Sequence, residues 1–114
     1  MIRFTYEVNS KAKTIQMSVT GHAPAQPTGD AGGFNPVCGM VSVLAQSALW
    51  GCLNYTKDTQ VIAARPGELI FACRYNDVAA GIVESAAEGV RQVKEQFPQC
   101  FADDGDGYCR SKGR

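Results

Sequence analysis

The sequence has no charge excess and lacks the apolar stretches that are typical of signal peptides and of membrane spans. Its eleven basic and eleven acidic residues cancel, and no stretch gathers lysine and arginine into the stripe that phosphate neutralisation requires. Residues 1–7 lack the apolar run of a signal peptide, and no later segment approaches the roughly 18 apolar residues that indicate a membrane span. We therefore expect a cytoplasmic protein with no membrane contact and no direct nucleic-acid binding.

Patterns typical of disulfide frameworks and of metal sites are also missing. The five cysteines are an odd number, and without a secretory signal they are expected to be reduced thiols. None of them forms a CxxC pair, and there is a single histidine. A tetrahedral zinc site would need ligands from distant positions, so we expect no metal.

What is present is a chain of 114 residues, enough for one domain, with two strand pairs. Residues 2–8 and 15–19 alternate apolar and polar side chains, the period of a half-buried strand, and a short polar turn separates them. Residues 60–64 and 68–74 repeat this organisation around the turn Arg65-Pro66-Gly67. The sequence therefore predicts two antiparallel hairpins.

A helix is predicted to follow the first hairpin after a glycine- and proline-rich loop. Asn35 is a favoured N-cap residue and Pro36 suits the first helical position, which places Cys38 in the first turn. Apolar residues at spacings of three and four predict the buried stripe of this helix: Val37, Val41, Leu44, Ala48, Cys52 and Tyr55.

A second helix is predicted after the second hairpin, with Asp77 as its cap and Pro98 as its stop. Its expected apolar stripe contains Ile82, Ala86, Val90, Val93 and Phe97. The order ββαββα predicts an α+β fold in which two helices pack on one face of a mainly antiparallel sheet. We expect one domain over residues 1–99, followed by an irregular tail over residues 100–114.

His22 and Cys38 flank the long loop and form the one constellation that predicts chemistry. A cysteine in the first turn of a helix lies beside unpaired amides, which favour the thiolate form. An imidazole within hydrogen-bond reach can take the thiol proton and later return it to a leaving amine. The amides at the helix N-terminus are also candidate donors to the oxyanion of a tetrahedral intermediate.

Two short segments resemble a known family. Residues 21–23, Gly-His-Ala, precede a glycine-rich loop, and residues 37–42 read Val-Cys-Gly-Met-Val-Ser. This arrangement resembles the ribosomal-processing cysteine proteases called Prp, whose pattern is Gly-His-Ala, a loop, and Asp-x-Val-Cys-x-x-Val-Ser. The resemblance extends from Met1 to about Pro98 and implies that His22 and Cys38 are a catalytic dyad.

The same resemblance implies the substrate and the assembly. The expected activity is removal of a short N-terminal extension from a bacterial large-subunit ribosomal protein, by a homodimer that needs no metal or organic cofactor. We expect the loop between Ala23 and Phe34 to close over the extended peptide. Two alternatives remain open: a phage or mobile-element homologue that processes a capsid protein, and a non-catalytic peptide-binding module on the same fold.

Three further residues are candidates for orienting the dyad or contacting substrate. Asn35 stands where the family pattern has an aspartate, so it either orients His22 through its amide oxygen or simply caps the helix. Asp30 is the alternative counterpart of that aspartate, or a solvated loop residue. Ser42, one turn beyond Cys38, either faces the substrate and thiolate or bonds back to the carbonyl four residues earlier.

Overall fold

The computed structural model describes residues 1–23 and 35–102 and the backbone of residues 111–112. Strands β1 (Arg3–Asn9) and β2 (Thr14–Thr20) form the first antiparallel hairpin. Strands β3 (Gln60–Arg65) and β4 (Glu68–Arg74) form the second. β4 also pairs antiparallel with β2, so the two hairpins make one sheet. The predicted hairpins are therefore confirmed.

Two helices of equal length complete the predicted order ββαββα. α1 (Pro36–Tyr55) begins at Asn35, whose side-chain oxygen accepts a hydrogen bond from the Val37 amide at 2.9 Å. α2 (Asp77–Gln96) is capped by Asn76, which accepts from the Ala79 amide at 2.8 Å. The prediction of Asp77 as the cap is wrong by one residue, because the asparagine before it makes the capping bond.

Both helices pack on the same face of the sheet, as predicted. Facing residues Ile15 and Cys73, and likewise Met17 and Phe71, are paired across β2 and β4 and are buried beneath the helices. α1 and α2 also approach each other closely, since a β-carbon on Gly89 would lie 2.8 Å from Leu44. The largest fully buried side chains define this core: Phe71, Ile15, Met17, Val8, Val41, Val83, Val90 and Cys52.

The predicted stripe of α1 is right over most of its length and wrong at its end. Val37, Val41, Ala48 and Cys52 are buried, and Leu44 packs against the core from a half-buried position. Tyr55 is instead 77% exposed. Tyr55 is the last residue of α1, beyond the part of the helix that packs on the sheet, and the chain then turns toward β3.

The segment after α2 is more ordered than the irregular tail that the sequence predicts. A short 3-10 helix (Pro98–Cys100) leads Cys100 and Phe101 back into the core. Ile2 donates to the Cys100 carbonyl at 2.9 Å, and its own carbonyl accepts from the Ala102 amide at 2.8 Å. Strand β5 (Ser111–Lys112) then pairs parallel to β1, giving the sheet order β3-β4-β2-β1-β5. The prediction fails at these residues because elements this short show no periodicity.

α1 has the length and composition of a helix that can cross a membrane, contrary to the sequence expectation that no segment does. Core helices pass the same test, and one side of α1 is packed against the sheet.

Candidate active site

Cys38 lies half-buried in the first turn of α1, where the Asn35 cap fixes the start of the helix. The backbone amide of Ala23 donates to Cys38 Sγ at 3.1 Å. Such a bond is stronger when the sulfur is a thiolate, because the acceptor then carries full charge. The residue after His22 therefore contacts the sulfur of Cys38 directly.

His22 follows the end of β2 and is exposed. The Gly21 amide, just before it, donates to the Gly67 carbonyl at 2.9 Å, in the turn between β3 and β4. The backbone around His22 is thus bound to the turn on one side and to Cys38 Sγ on the other. Within residues 1–23 and 35–102, no hydrogen bond joins the imidazole to the thiol.

His22 and Cys38 open onto one cavity of about 650 Å³ between α1 and the tip of the β3–β4 hairpin. The α1 side presents Cys38, Ser42, Gln46 and Trp50, which are four residues apart and so lie along one line of the helix. The cavity therefore runs along α1 for about three turns, roughly 18 Å. Ile2, Val19, Leu49 and Leu69 make much of its lining apolar.

The first amides of α1 are already bonded, which changes the expected source of oxyanion donors. Pro36 has no N–H, the Val37 amide donates to the Asn35 side chain, and the Cys38 amide donates to the Asn35 carbonyl at 3.1 Å. The described amide directed at the sulfur is that of Ala23. The site therefore differs from the sequence expectation in which the helix amides stabilise the oxyanion.

The other three candidate residues, Asn35, Ser42 and Asp30, differ in their positions relative to the cavity. Asn35 is buried, its oxygen caps α1, and its amide nitrogen donates to Cys100 Sγ at 3.6 Å. Ser42 lines the cavity and accepts from Gln46 Nε2 at 2.7 Å, rather than bonding to the carbonyl four residues earlier. Asp30 and the predicted closing loop lie outside the described residues, apart from Ala23, which is buried.

Cys52, Cys73 and Cys100 are free thiols buried away from the cavity. The hydrogen bond between Cys52 and Cys73 raises the pKa of Cys52 above its ordinary value, and burial adds to the effect. The same bond lowers the pKa of Cys73, assisted by a hydrogen bond with Thr59. Among residues 1–23 and 35–102, no three His, Cys, Asp or Glu side chains are grouped to hold a metal ion.

Sequence reasoning missed two contributors to the site. Ala23 contributes its backbone amide and Gly67 its bare α-carbon, so neither is recognisable from a functional side chain. Gly67 approaches His22 only because β4 pairs with β2. The Pro66-Gly67 pair signals a turn, but no local pattern indicates what that turn faces.

Comparison with known proteins agrees with this architecture. The family profile described as cysteine protease Prp matches residues 1–102. No curated protein matches the chain significantly. An essential ribosomal processing protease Prp from S. aureus, in complex with a covalently linked product peptide, is 20% identical with a TM-score of 0.67, covering 90% of this chain and 96% of the other.

The same S. aureus protease in complex with a substrate peptide is 17% identical, with a TM-score of 0.65, and the match covers 98% of this chain and 100% of the other. A hypothetical protein from Staphylococcus aureus is 14% identical with a TM-score of 0.57, covering 90% and 96%. At these identities the structures show a shared fold, whereas the profile covers most of the chain. The chain therefore belongs to the Prp family of cysteine proteases.

Proposed function

We propose that Cys38 and His22 form the catalytic dyad of this protease and that its substrate is the N-terminal extension of a bacterial large-subunit ribosomal protein. The observation that carries the proposal is the contact of the Ala23 amide with Cys38 Sγ, which binds the segment holding His22 to the sulfur within one cavity. A cysteine at a helix start that shares its cavity with the chain's one histidine is an arrangement suited to thiol acyl transfer.

The reaction follows from these positions. The Cys38 thiolate attacks the scissile carbonyl carbon, and the negative charge moves to the carbonyl oxygen. The Ala23 amide, 3.1 Å from Sγ, is positioned to donate to that oxygen once the carbon–sulfur bond has formed. Protonated His22 gives its proton to the leaving amine, and the neutral imidazole then removes a proton from the water that hydrolyses the thioester.

The cavity supports a peptide substrate in extended form. Its length of roughly 18 Å along α1 matches about five extended residues at 3.3 Å each. The apolar lining favours bulky uncharged side chains, and the Arg65–Glu68 ion pair at 2.8 Å marks the polar rim. We place the reaction in the cytoplasm, where a ribosomal protein is made, and the similarity in fold to a ribosomal processing protease from S. aureus supports that choice of substrate.

Ser42 is proposed as a substrate contact. Because Gln46 donates to its oxygen, the Ser42 hydroxyl keeps its own proton for donation into the cavity one turn from Cys38. We propose no such role for Asn35, whose oxygen caps the helix.

The proposal is tested by incubating the protein with two precursors from the same genome, the extended ribosomal protein and a capsid protein, and identifying products by mass spectrometry. We expect one cut in the ribosomal extension, lost in Cys38→Ala and in His22→Ala while circular dichroism and thermal unfolding stay close to wild type. Cleavage of the capsid protein alone would instead select the phage or mobile-element function.

A non-catalytic binding module would bind the extension without cutting it. Iodoacetamide labelling adds a control, but labelling rates depend on the burial of each thiol as well as on its reactivity. Cys52, Cys73 and Cys100 are buried, so slower labelling of these three follows from burial alone. The informative comparison is Cys38 in wild type against Cys38 in His22→Ala: slower alkylation in the variant supports the dyad, and equal rates contradict it.

A further inference from the structure

The turn between β3 and β4 makes an unusually close approach to the imidazole of His22. A β-carbon built on Gly67 would lie 2.5 Å from Nε2, 3.0 Å from Cε1 and 3.3 Å from Cδ2 of His22. The space that any other residue would fill at position 67 is therefore occupied by one edge of the ring.

The turn itself is held by strand pairing, an ion pair and a backbone hydrogen bond. Gly67 has φ +80° after Pro66, which matches a type II turn with proline and glycine at its two central positions. The turn joins the paired residues Arg65 and Glu68, whose side chains form an ion pair at 2.8 Å across it. Its carbonyl at Gly67 accepts from the Gly21 amide, which joins the turn to the residue before His22.

His22 needs such a support because the rest of its side chain is exposed. An exposed histidine samples several rotamers, whereas a general base must stay near its nucleophile to act. The turn closes off the space on the Nε2 side, and the backbone bonds at Gly21 and Ala23 restrain both neighbours of His22.

We propose that Gly67 is a positioning residue for His22: the bare α-carbon at the hairpin turn forms the surface against which the imidazole rests while it serves Cys38. This inference rests on the proposed dyad. Proper function then depends on a glycine at this position for two separable reasons, the positive φ and the missing β-carbon.

Gly67→Ala and Gly67→Asn separate these reasons. Both add a β-carbon that displaces the imidazole, but asparagine tolerates positive φ better than alanine. We expect the Gly67→Asn variant to unfold at a higher temperature than the Gly67→Ala variant. Both substitutions should lower kcat by roughly 10- to 100-fold and leave KM little changed. Gly81→Ala on α2 is the matched control, because a β-carbon there meets no atom within 4 Å and cleavage should stay at the wild-type rate.

The contact has a direct readout because His22 is the only histidine in the sequence. A nuclear Overhauser effect between the Gly67 α-protons and the His22 ring is expected in the wild-type protein. The second readout is a double-mutant cycle. Gly67→Ala should slow alkylation of Cys38 when His22 is present and have no effect in the His22→Ala background.

Three results would overturn the inference: no Overhauser effect, equal slowing in both backgrounds, or recovery of wild-type kcat in Gly67→Asn, which would assign the whole effect to backbone strain. Failure of the dyad is distinguishable from these. If His22→Ala cleaves at the wild-type rate, the proposed function fails and the positioning role fails with it. If His22→Ala is inactive while Gly67→Ala retains wild-type kcat, only the positioning role fails.

Discussion

Asn35 makes two side-chain hydrogen bonds with described residues at the start of the helix that carries Cys38. Its oxygen accepts from the Val37 amide, and its amide nitrogen donates to the thiol of Cys100, 65 positions along the chain. Cys100 in turn accepts from Ile2 through its carbonyl. One buried side chain therefore links the start of α1 to the segment that follows α2.

Replacing Asn35 should therefore affect stability more than chemistry. Asn35→Ala removes the cap and leaves the Cys100 thiol without its donor, and we expect a loss of about 1–2 kcal/mol in the free energy of unfolding. Turnover per folded molecule should fall less than about threefold, as expected of a group that does not touch the reacting atoms. Urea unfolding and active-site titration measure the two quantities.

Asn35→Asp keeps the capping oxygen and loses the donor to Cys100, so its stability should lie between those of Asn35→Ala and the wild type. A large loss of turnover in well-folded Asn35→Ala, restored in Asn35→Asp, would contradict the capping role and assign Asn35 to the orientation of His22.

At the residue scale, the sequence could indicate the candidate pair of His22 and Cys38 but not the surroundings of these two residues. Gly-His-Ala and the cysteine after Asn-Pro-Val are local patterns, and the Asn35 cap follows from residue type and position. The Gly67 contact and the Cys100 bond depend on which strands become neighbours and where the chain returns after α2. Single-sequence patterns carry no information on such distant pairings.

The sides of α1 contact different parts of the protein. One side packs on the sheet, Leu44 meets α2, and Cys38 and Ser42 face the cavity. Near its C-terminal end Cys52 lies close enough to Cys73 of β4 for the two thiols to shift each other's pKa, so a buried thiol pair lies at the end of α1 remote from Cys38.

This pair predicts a pH dependence of stability. The folded protein keeps the Cys52 proton to higher pH than the unfolded chain does, so Cys52 contributes stability that is lost as pH rises above the ordinary thiol value of 9.0. The lowered pKa of Cys73 acts in the opposite sense, adding stability as pH rises toward 9.0.

We expect the unfolding free energy of the wild type, relative to Cys52→Ala/Cys73→Ala, to rise toward a maximum near pH 9 and to decline above it. Chemical denaturation across this range measures the difference, and the cavity left by the double variant shifts all values without changing the slope. A difference that does not vary with pH would show that the two thiols titrate independently of folding.

At the element scale, period alone predicts most of the structure. The alternation of residues 2–8 and the three-and-four spacing along α1 each reflect one buried face, so β1, β2, α1 and α2 follow from the sequence. Tyr55 and the segment after Pro98 do not, because a terminal helical residue and a two-residue strand have too few neighbours to repeat a pattern.

At the scale of the whole molecule, the outer side of α1 is an exposed apolar surface without charge. No residue between Pro36 and Tyr55 is charged, although a helix on a protein surface normally presents charges to water. Met40, Val43, Trp50 and Leu53 are between 39% and 66% exposed on this helix. Trp50 also lines the cavity, so this face is continuous with the candidate active site. We propose that a second copy of the chain covers it, giving the homodimer implied by the family resemblance.

Val43→Glu tests this dimer, because Val43 is the most exposed of the four and does not line the cavity. A carboxylate on the covered face would lose its hydration without gaining a partner. We therefore expect the dissociation constant of the dimer to rise by roughly 100-fold. Light scattering after size exclusion should give twice the chain mass of 12.2 kDa for the wild type and the single mass for the variant. Gln16→Glu is the matched control, since Gln16 is exposed on β2 between Ile15 and Met17, which face the helices, so its side chain lies on the opposite face of the sheet, and its variant should remain a dimer. A wild-type protein that is monomeric at micromolar concentration, or a Gln16→Glu variant that dissociates as readily as Val43→Glu, would contradict α1 as the interface.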